Sequence, residues 1–398
     1  MNSFSSLLIL ADDITGAADC AARCKQAGLP ATILVGTPPR TLPAGAVSFS
    51  SDSRFLPPSA AAASVQRLFM RVQTEGGVHP PITWYKKIDS TLRGNIGAEL
   101  AALLAVAPAA SCAVVSPAFP AQGRGLVDGY LVYDQAPAQS AHLPSLIRQQ
   151  TDLPQALIPL SAVRAGVAQL AATLTAHAAA GIQIFVADAV EADLAAIYTA
   201  TRQPAPRLLL WQRQLVGVIA TALVAAQADR APAAPPTSLQ IAHPLVAVVG
   251  SGSRMAHRQL AQLRLQTAVE WYMVDPQQPD GGLSARAGRG GDLVIHLPSP
   301  AENANLEGEM ARHYAALLAR EAYHQIQQRH PQTLLLVGGD TSIHLLQLLG
   351  IQTLTVEAEV LPGMPLTIGQ STDGQRYQVI LKAGNHGDDQ TLVTLLAL

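Results

Sequence analysis

The strongest constraint on the fold is a repeated succession of a short apolar run, a polar loop and an Ala/Leu-rich helical segment. In the first half of the chain, apolar runs at residues 7–11, 47–50, 82–85 and 113–116 each lead into a polar loop. Such runs have strand length, and their alternation with helices is typical of a parallel sheet with crossover helices. The same pattern restarts near residue 245. We therefore predict an α/β fold.

A stretch rich in proline and alanine divides the chain of 398 residues into two parts. Residues 231–236 read Ala-Pro-Ala-Ala-Pro-Pro, a composition without periodicity that is typical of a linker. We predict one domain at residues 1–230, a linker at 231–244 and a second domain at 245–398. Each domain is expected to have a largely parallel sheet flanked by helices, with a ligand cleft between the two.

The composition excludes several classes of protein. Hydrophobic residues make up 49% of the chain and charged residues 14%, which favours a large buried core over disorder. The net charge of −2 and the absence of a long basic run argue against nucleic acid as a partner. No apolar run is long enough to span a membrane, so we expect no membrane association.

The N-terminal residues and the cysteines indicate a cytoplasmic protein. The apolar run at 7–11 has no basic segment before it and is interrupted at once by Asp12 and Asp13, unlike a signal peptide. The cysteines are Cys20, Cys24 and Cys112, an odd number without a Cys/His cluster. We predict that they are reduced thiols that pack in the core.

The densest polar stretch follows the apolar run at 82–85. Within ten residues it carries three cations, a carboxylate, two hydroxyls and an amide: Lys86, Lys87, Asp89, Ser90, Thr91, Arg93 and Asn95. Ligands of α/β sheets bind at the carboxyl ends of strands, and a loop that opens into a helix presents N–H groups to an anion. A solvated loop with a helix cap is the alternative interpretation.

Two other strand ends carry charge: Asp12 with Asp13, and Asp52 with Arg54. If these strands are parallel neighbours of the one before Lys86, their polar ends converge at one edge of the sheet. Arginine binds carboxylates bidentately, and an aspartate accepts hydrogen bonds from hydroxyls or a proton from an attacking alcohol. The first domain is therefore predicted to bind a small hydroxylated carboxylate. The alternatives are a helix cap for the aspartates and a surface position for Arg54.

In the second half, three glycine-rich turns follow predicted strands, at residues 250–253, 338–341 and 383–387. Glycine allows backbone N–H groups to approach phosphate oxygens, although none of these turns has a Walker A or Gly-x-Gly-x-x-Gly pattern. Asp340, Asp388 and Asp389 are candidates either for Mg²⁺ ligands or for helix caps. A polyhydroxy-acid site together with a phosphate site suggests phosphoryl transfer, in which a base aligns the attacking hydroxyl.

These motifs resemble the four-carbon acid sugar kinase family almost from end to end. The segments that carry the resemblance are residues 11–17, 52–54, 86–99, 117–124, 250–253, 338–341, 361–365 and 382–387. The resemblance implies an N-terminal sugar-acid-binding domain and a C-terminal nucleotide-binding domain. It also implies use of ATP, with Mg²⁺, to phosphorylate the terminal hydroxyl of a tetronate such as D-threonate, D-erythronate or 3-oxo-tetronate. A homodimer is a further expectation.

By motif position, the resemblance places the sugar acid at Asp12, Asp13, Arg54, Lys86, Lys87, Ile88, Asp89, Ser90 and Arg93. It places the nucleotide at Ser251, Gly252, Ser253, Gly338, Gly339, Asp340, Thr341, Pro362, Gly363, Met364, Gly384, Asn385, His386 and Gly387. Asp12, Asp13 or Asp89 would orient or deprotonate the hydroxyl, with Asp13 favoured. Lys87 or Arg93 would offset charge on the transferred phosphoryl group.

The exact substrate and two other functions stay open. Ile14, Ala18, Asn385 and His386 stand where many members of the family have other residues, so the chain could act on a different small aldonate. A sensor that binds a sugar acid and a nucleotide without turnover is one alternative. An NAD-dependent oxidoreductase is another, and the missing dinucleotide fingerprint disfavours it.

Overall fold

A computed structural model describes residues 6–39, 41–75, 82–89, 91–119, 123–133, 136–190, 193–201, 208–211, 215–225, 240–266, 269–276, 291–298 and 309–398. The chain divides into two compact units. Unit 1 holds residues 1–30 and 37–231, and unit 2 holds residues 31–36 and 232–398. Most of the predicted linker lies outside the described residues, and the predicted domain boundaries and cleft stay predictions.

Strands and helices alternate along the first half of the chain. In order they are β1 (Ser6–Ala11), α1 (Ile14–Gln26), β2 (Ala31–Leu34), β3 (Ala46–Ser50), α2 (Pro58–Glu75), β4 (Ile82–Lys87), α3 (Ile96–Val106), β5 (Cys112–Val115), β6 (Arg124–Val127), β7 (Tyr130–Tyr133), β8 (Ala136–His142), α4 (Leu143–Arg148), β9 (Gln155–Ile158), α5 (Leu160–Val163), α6 (Val167–Ala179), β10 (Ile184–Ala187), α7 (Asp193–Thr201), β11 (Leu208–Trp211) and α8 (Leu215–Ala225).

The second half continues the alternation and ends in antiparallel hairpins. Its elements are β12 (Leu245–Val249), α9 (Arg254–Gln266), β13 (Glu270–Met273), β14 (Leu293–His296), α10 (Glu309–Arg329), β15 (Thr333–Val337), α11 (Gly339–Leu348), β16 (Thr353–Leu361), β17 (Met364–Gln370), β18 (Arg376–Lys382) and α12 (Thr391–Ala397).

The main sheet of unit 1 has the strand order β3-β1-β4-β11-β5-β10-β9, with parallel pairing throughout. Strands β1 and β5 are fully buried apart from the undescribed side chain of Ser6, as expected for strands covered by helices on both faces. Parallel neighbours require crossover connections, which the helices between them supply. The predicted α/β class is confirmed. A small antiparallel sheet, β6-β7-β8, was not predicted, because two of its three strands contain glycine or proline, which are depleted in strands.

The sheet of unit 2 has the order β13-β14-β12-β15-β18-β17-β16-β2. The pairings from β13 to β18 are parallel, and those from β18 to β2 are antiparallel. Strand β2 comes from early in the chain and pairs with β16, with Leu34 opposite Thr353. A four-residue apolar strand carries no sequence signal that identifies its partner, so this pairing is visible only in the structure.

One face of the unit 2 sheet packs on helices α9 and α12. Its apolar rows include Ala247, Leu335, Ile380 and Leu366, which cluster with buried leucines of both helices. Leu335 lies opposite Ile380 in the parallel pairing of β15 with β18, so these side chains form one continuous row. In the part of the chain that the structure describes, no helix combines the length and apolar character of a membrane span.

Candidate active site

Three polar segments of unit 1 meet at one edge of its sheet. In the registers of β1 with its two neighbours, Ala11 lies opposite both Ser50 and Lys87. The residues that follow these positions therefore leave the sheet side by side, at the carboxyl ends of adjacent parallel strands. The structure thus brings together the groups that the sequence places after the strands.

Arg54 holds both aspartates that follow β1. Its Nε and Nη2 atoms donate to the two carboxylate oxygens of Asp12, at 2.8 and 2.9 Å, and its Nη1 donates to Asp13 at 2.6 Å. The Arg54 side chain is 11% exposed. A planar guanidinium that binds one carboxylate bidentately has a fixed orientation, so Arg54 fixes the positions of both acids.

Asp13 also begins helix α1. Its Oδ1 accepts a hydrogen bond from the Gly16 N–H at 2.7 Å, and its Oδ2 accepts one from the Thr15 hydroxyl at 2.8 Å. The helix-cap interpretation of the sequence is therefore correct for Asp13. Its side chain is nevertheless 18% exposed, against 5% for Asp12, so it keeps the more accessible carboxylate of the two.

The loop after β4 contains a second arginine–aspartate pair. Arg93 donates to Asp89 through Nε at 2.7 Å and through Nη2 at 3.1 Å. The Thr91 hydroxyl donates to the same carboxylate. Arg93 is about half exposed at 49%, in contrast to Arg54. Ser90 lies outside the described residues.

Lys86 has a partner that the sequence analysis did not predict. Its Nζ lies 2.6 Å from Glu99 Oε2, and both side chains are buried. The Ser53 hydroxyl donates to the other oxygen of Glu99. This network links β4, helix α3 and the loop after β3, so Lys86 contributes to the site by holding these elements in place. A lone carboxylate in the apolar first turn of α3 is the signal that could have identified Glu99.

Lys87 and Ile88 lie beside the start of α1. The Lys87 ammonium donates to the Ile88 carbonyl at 2.5 Å, and Ile88 is itself buried. A Cβ added to Gly16 would lie 3.7 Å from Lys87 Nζ, so the ammonium is close to the first turn of the helix. Lys87 is therefore placed where it can face an anion near Asp13.

Ion pairing dominates the ionisation of the site. Burial alone would raise the pKa of Asp12, but the charge and hydrogen bonds of Arg54 outweigh it and lower the pKa below its usual value. For Asp89, burial is likewise outweighed by Arg93 and Arg54, and its pKa is strongly lowered. Burial opposes the charge of Arg54, but Asp12 and Asp13 raise its pKa well above the usual value. Asp12 and Asp89 are therefore ionised at neutral pH.

The glycine-rich turns of unit 2 also follow adjacent strand ends. Val249 lies opposite Val337 in one pairing, and Val337 lies opposite Lys382 in the next. The Gly250 N–H donates to the Val337 carbonyl, and the Gly338 N–H donates to the Lys382 carbonyl, both at 3.0 Å. The three turns thus start at the same level of the sheet.

These turns pack so closely that side chains would not fit at two glycines. A Cβ on Gly250 would overlap Thr341 Oγ1, and a Cβ on Gly384 would overlap Ser251 Oγ. The Ser253 hydroxyl donates to the Gly384 carbonyl at 2.7 Å, which ties the first turn to the third. Such close backbone packing is the arrangement that a phosphate-binding cradle needs.

The turn before α11 has the geometry of an anion-binding helix start. Gly338 has a φ of 107°, a left-handed conformation that favours glycine. Gly339 and Asp340 form the first turn of the helix, and Thr341 is buried with no hydrogen-bond partner for its Oγ1. Free N–H groups at a helix start attract phosphate oxygens. The residues therefore fit the phosphates of a nucleotide.

A side chain of helix α9 holds the turn after β18 in place. The buried Gln259 side chain donates to the carbonyls of His386 and Asp388, at 3.0 and 2.6 Å. Asn385 lies between the glycines of this turn, and Gly387 has a φ of 79°. Gln259 was not predicted as a site residue, since a glutamine in a helix carries no distinctive pattern.

The carboxylates near this turn have other partners. Asp388 accepts from the Gln390 N–H at 3.1 Å and from the Thr391 hydroxyl at 2.9 Å, as a residue of the turn before α12 does. Asp389 pairs with Arg258 at 2.9 Å. Over the described ranges, no group of three or more His, Cys, Asp or Glu side chains could hold a metal ion.

Pro362 and Gly363 form the turn between β16 and β17. Gly363 has a φ of 77°, and its N–H donates to Glu359 Oε1 at 2.6 Å. Met364, the next residue, is buried in the core cluster of unit 2. Leu366 lies opposite Ile380 in the antiparallel pairing of β17 with β18. The same register, continued by two residues, places Met364 beside the end of β18.

Two family models match the chain in the order of these sites. A sugar-binding N-terminal domain matches residues 7–213, and a nucleotide-binding C-terminal domain matches residues 246–392. The chain belongs to the four-carbon acid sugar kinase family. The kinase class that the sequence motifs predict is thereby confirmed.

Relatives in this family match the chain over nearly its whole length. A D-threonate kinase of Cupriavidus necator is 35% identical, with 97% of this chain and 96% of the relative covered. A 3-oxo-tetronate kinase of the same organism is 27% identical, with coverage of 95% and 93%. The crystal structure of a Salmonella typhimurium protein has a TM-score of 0.71 at 22% identity, with 99% of each chain covered, and supports the fold.

The individual roles of the site residues in this kinase stay predictions. So do the homodimer and the cytoplasmic location. The structure adds Glu99, Ser53, Thr91 and Gln259 to the predicted residues as groups that hold them in position.

Proposed function

We propose that this four-carbon acid sugar kinase transfers a phosphoryl group from ATP to the terminal hydroxyl of D-threonate. The observation that carries the proposal is the likeness to a D-threonate kinase over 97% of the chain. The charged cluster of unit 1 supports it, because a hydroxylated carboxylate needs both a guanidinium and hydrogen-bond acceptors.

Arg93 is the best candidate to bind the carboxylate of the sugar acid. Arg54 is 11% exposed and donates to Asp12 and Asp13, whereas Arg93 is 49% exposed. An accessible guanidinium can add a substrate carboxylate to its existing bonds without breaking a buried pair. Arg54 then serves to hold the two aspartates in place.

Asp13 is the best candidate to orient the attacking hydroxyl. Its carboxylate is fixed by Thr15, Gly16 and Arg54, and it is more exposed than that of Asp12. Phosphoryl transfer depends chiefly on positioning and on neutralisation of charge, and a fixed acceptor positions a hydroxyl well. Lys87, beside the start of α1, would offset the charge of the transferred group.

The nucleotide would bind at the glycine-rich turns of unit 2. Ser251, Ser253 and the N–H groups at the start of α11 would face its phosphates, and the close packing at Gly384 would keep the backbone near them. Mg²⁺ would be held chiefly by the triphosphate oxygens and water, as is usual where this ion accompanies a nucleotide.

The test is a coupled assay of ADP release with Mg-ATP and a panel of acids. The panel contains D-threonate, L-threonate, D-erythronate, 3-oxo-tetronate and five- and six-carbon aldonates. We expect the highest kcat/KM with D-threonate, and ³¹P NMR should place the phosphate on the C4 oxygen. A higher kcat/KM with another acid of the panel would identify that acid as the preferred substrate in place of D-threonate. No ADP release with any acid would refute the kinase, and binding of both ligands without ADP would favour the sensor.

A further inference from the structure

The buried lysine Lys382 has no role in the site described so far. It is the last residue of β18, and it is 0% exposed. It follows Ile380 at the two-residue spacing of a strand, so both side chains point to the face that α9 and α12 cover. Val249 and Val337 stand in the same row of that face. A lysine thus ends an otherwise apolar row.

Among the residues that the structure describes, no charge compensates its ammonium group. Lys382 Nζ donates to the Ala383 carbonyl at 3.1 Å, and no carboxylate among the described residues forms an ion pair with it. The other sheet offers a direct contrast, because the equally buried Lys86 pairs with Glu99 at 2.6 Å. Burial lowers the pKa of Lys382 to about 7. A buried ammonium without a charged partner destabilises the fold, which calls for an explanation.

The position of Lys382 supplies that explanation. Its carbonyl accepts from the Gly338 N–H that precedes α11. Two residues later, Gly384 touches Ser251 and accepts from Ser253 through its carbonyl. All three glycine-rich turns therefore meet at the end of the strand that carries this lysine. The carbonyl to which Nζ donates leads directly into the third turn.

We propose that Lys382 is a phosphate-binding residue, whose ammonium group binds phosphoryl oxygens of the nucleotide that the three turns hold. This inference rests on the proposed function of unit 2. A phosphate would supply the negative charge that the described residues do not place beside Lys382. The serines and backbone N–H groups of the turns provide hydrogen bonds, and Lys382 adds a full positive charge to them.

Binding of phosphate should also protonate Lys382, because a nearby anion favours the charged form. Other titratable or charged side chains lie on the elements packed around it: Asp340 and His344 on α11, Arg254, His257, Arg258 and Arg264 on α9, and His386, Asp388 and Asp389 in the following turn. Strands β15 and β17 and helix α12 carry none. Proton uptake must therefore be assigned with a variant of Lys382 itself.

The test compares the full-length wild-type protein with Lys382→Met by titration calorimetry, using ATP, ADP, AMP and adenosine. Methionine keeps the shape of the side chain and removes the charge. We expect ADP or ATP to bind about ten- to one-hundredfold more weakly to the variant, as for loss of a hydrogen bond to a charged group. Adenosine affinity should not change. The nucleotide at which the loss first appears identifies the phosphate that Lys382 contacts.

Two further measurements separate a binding role from a structural one. Titrations at pH 8 in buffers of different ionisation enthalpy should show proton uptake on ADP binding by the wild type and less uptake by Lys382→Met. The matched control is Arg376→Met, which removes an exposed cation at the other end of β18 and should leave ADP affinity and proton uptake unchanged.

The outcomes distinguish this inference from the proposed function. If the wild type binds no nucleotide, the proposed function is wrong and the inference falls with it. If the wild type binds ADP and Lys382→Met binds it equally well, only the inference is wrong. We expect unliganded Lys382→Met to be at least as stable as the wild type, since it removes an uncompensated buried charge. If it fails to fold, Lys382→Gln provides the same comparison, and unchanged ADP affinity there refutes the inference.

Discussion

Arg54 and Asp12, which lie 42 residues apart in the sequence, face each other as a bidentate ion pair with bonds of 2.8 and 2.9 Å. The same guanidinium reaches Asp13 at 2.6 Å. One side chain from the loop after β3 therefore fixes both acids that follow β1. The positions of the two carboxylates in the proposed sugar-acid site depend on this contact.

Replacement of Arg54 by glutamine should destabilise the protein strongly. It would leave two aspartates without their main cation, and loss of one partner from a buried pair costs about 3–5 kcal/mol. The matched control is Arg164→Gln, which breaks a bidentate pair with Asp193 in which the arginine is 55% exposed. That change should cost less than about 1 kcal/mol. Urea unfolding measures the free energy of unfolding of both variants. Equal decreases in the two variants would contradict a special role of Arg54.

Replacement of Arg93 by methionine should raise the KM for the sugar acid. If Arg93 binds the carboxylate, the loss corresponds to about a ten- to one-hundredfold increase. The KM for ATP should change much less, because Arg93 belongs to the sugar-acid site. Steady-state kinetics with each substrate varied in turn measures the two values. An increase confined to the KM for ATP would place Arg93 at the nucleotide instead.

Acid should destabilise the protein partly through Asp12. An unfolded aspartate has a pKa of about 3.9, and ion pairing with Arg54 lowers the pKa of Asp12 in the folded state. The unfolded chain therefore binds more protons than the folded one below about pH 4. The stability that Asp12 contributes is complete above that pH and is lost as the pH falls toward the folded pKa.

The variant Asp12→Asn isolates this contribution. It should be less stable than the wild type at pH 7, and its free energy of unfolding should fall less steeply between about pH 5 and pH 2.5. Urea unfolding over that range provides the comparison. Parallel curves for the two proteins would show that Asp12 does not titrate abnormally.

Two glycines of one turn should respond differently to alanine. A Cβ on Gly250 would overlap the Thr341 side chain and lie 2.7 Å from its Cβ, whereas a Cβ on Gly252 has open space around it. Gly250→Ala should therefore lower the free energy of unfolding, and Gly252→Ala should not. ADP binding to Gly252→Ala then shows whether a ligand approaches this backbone. Weaker binding at unchanged stability would support that contact, and unchanged binding would remove Gly252 from the proposed nucleotide site.

The sequence predicted those parts of the site that depend on local order along the chain. Asp12, Arg54 and Lys87 each follow an apolar run, and parallel strands bring such positions to one edge. The partners of these residues were not predictable in the same way. Glu99 neutralises Lys86, and Gln259 supports the turn at His386, through contacts that no spacing in the sequence specifies.

By itself, then, the sequence determined the α/β class, the family and the residues that lie at the ends of the strands, because hydrophobic periodicity and contiguous motifs are local properties. The tertiary structure alone decided that β2 joins the sheet of unit 2, that Lys86 has a carboxylate partner and that Lys382 has none among the described residues. The physical reason is that strand pairing and the neutralisation of buried charge depend on groups that are far apart in the chain and meet only when it folds.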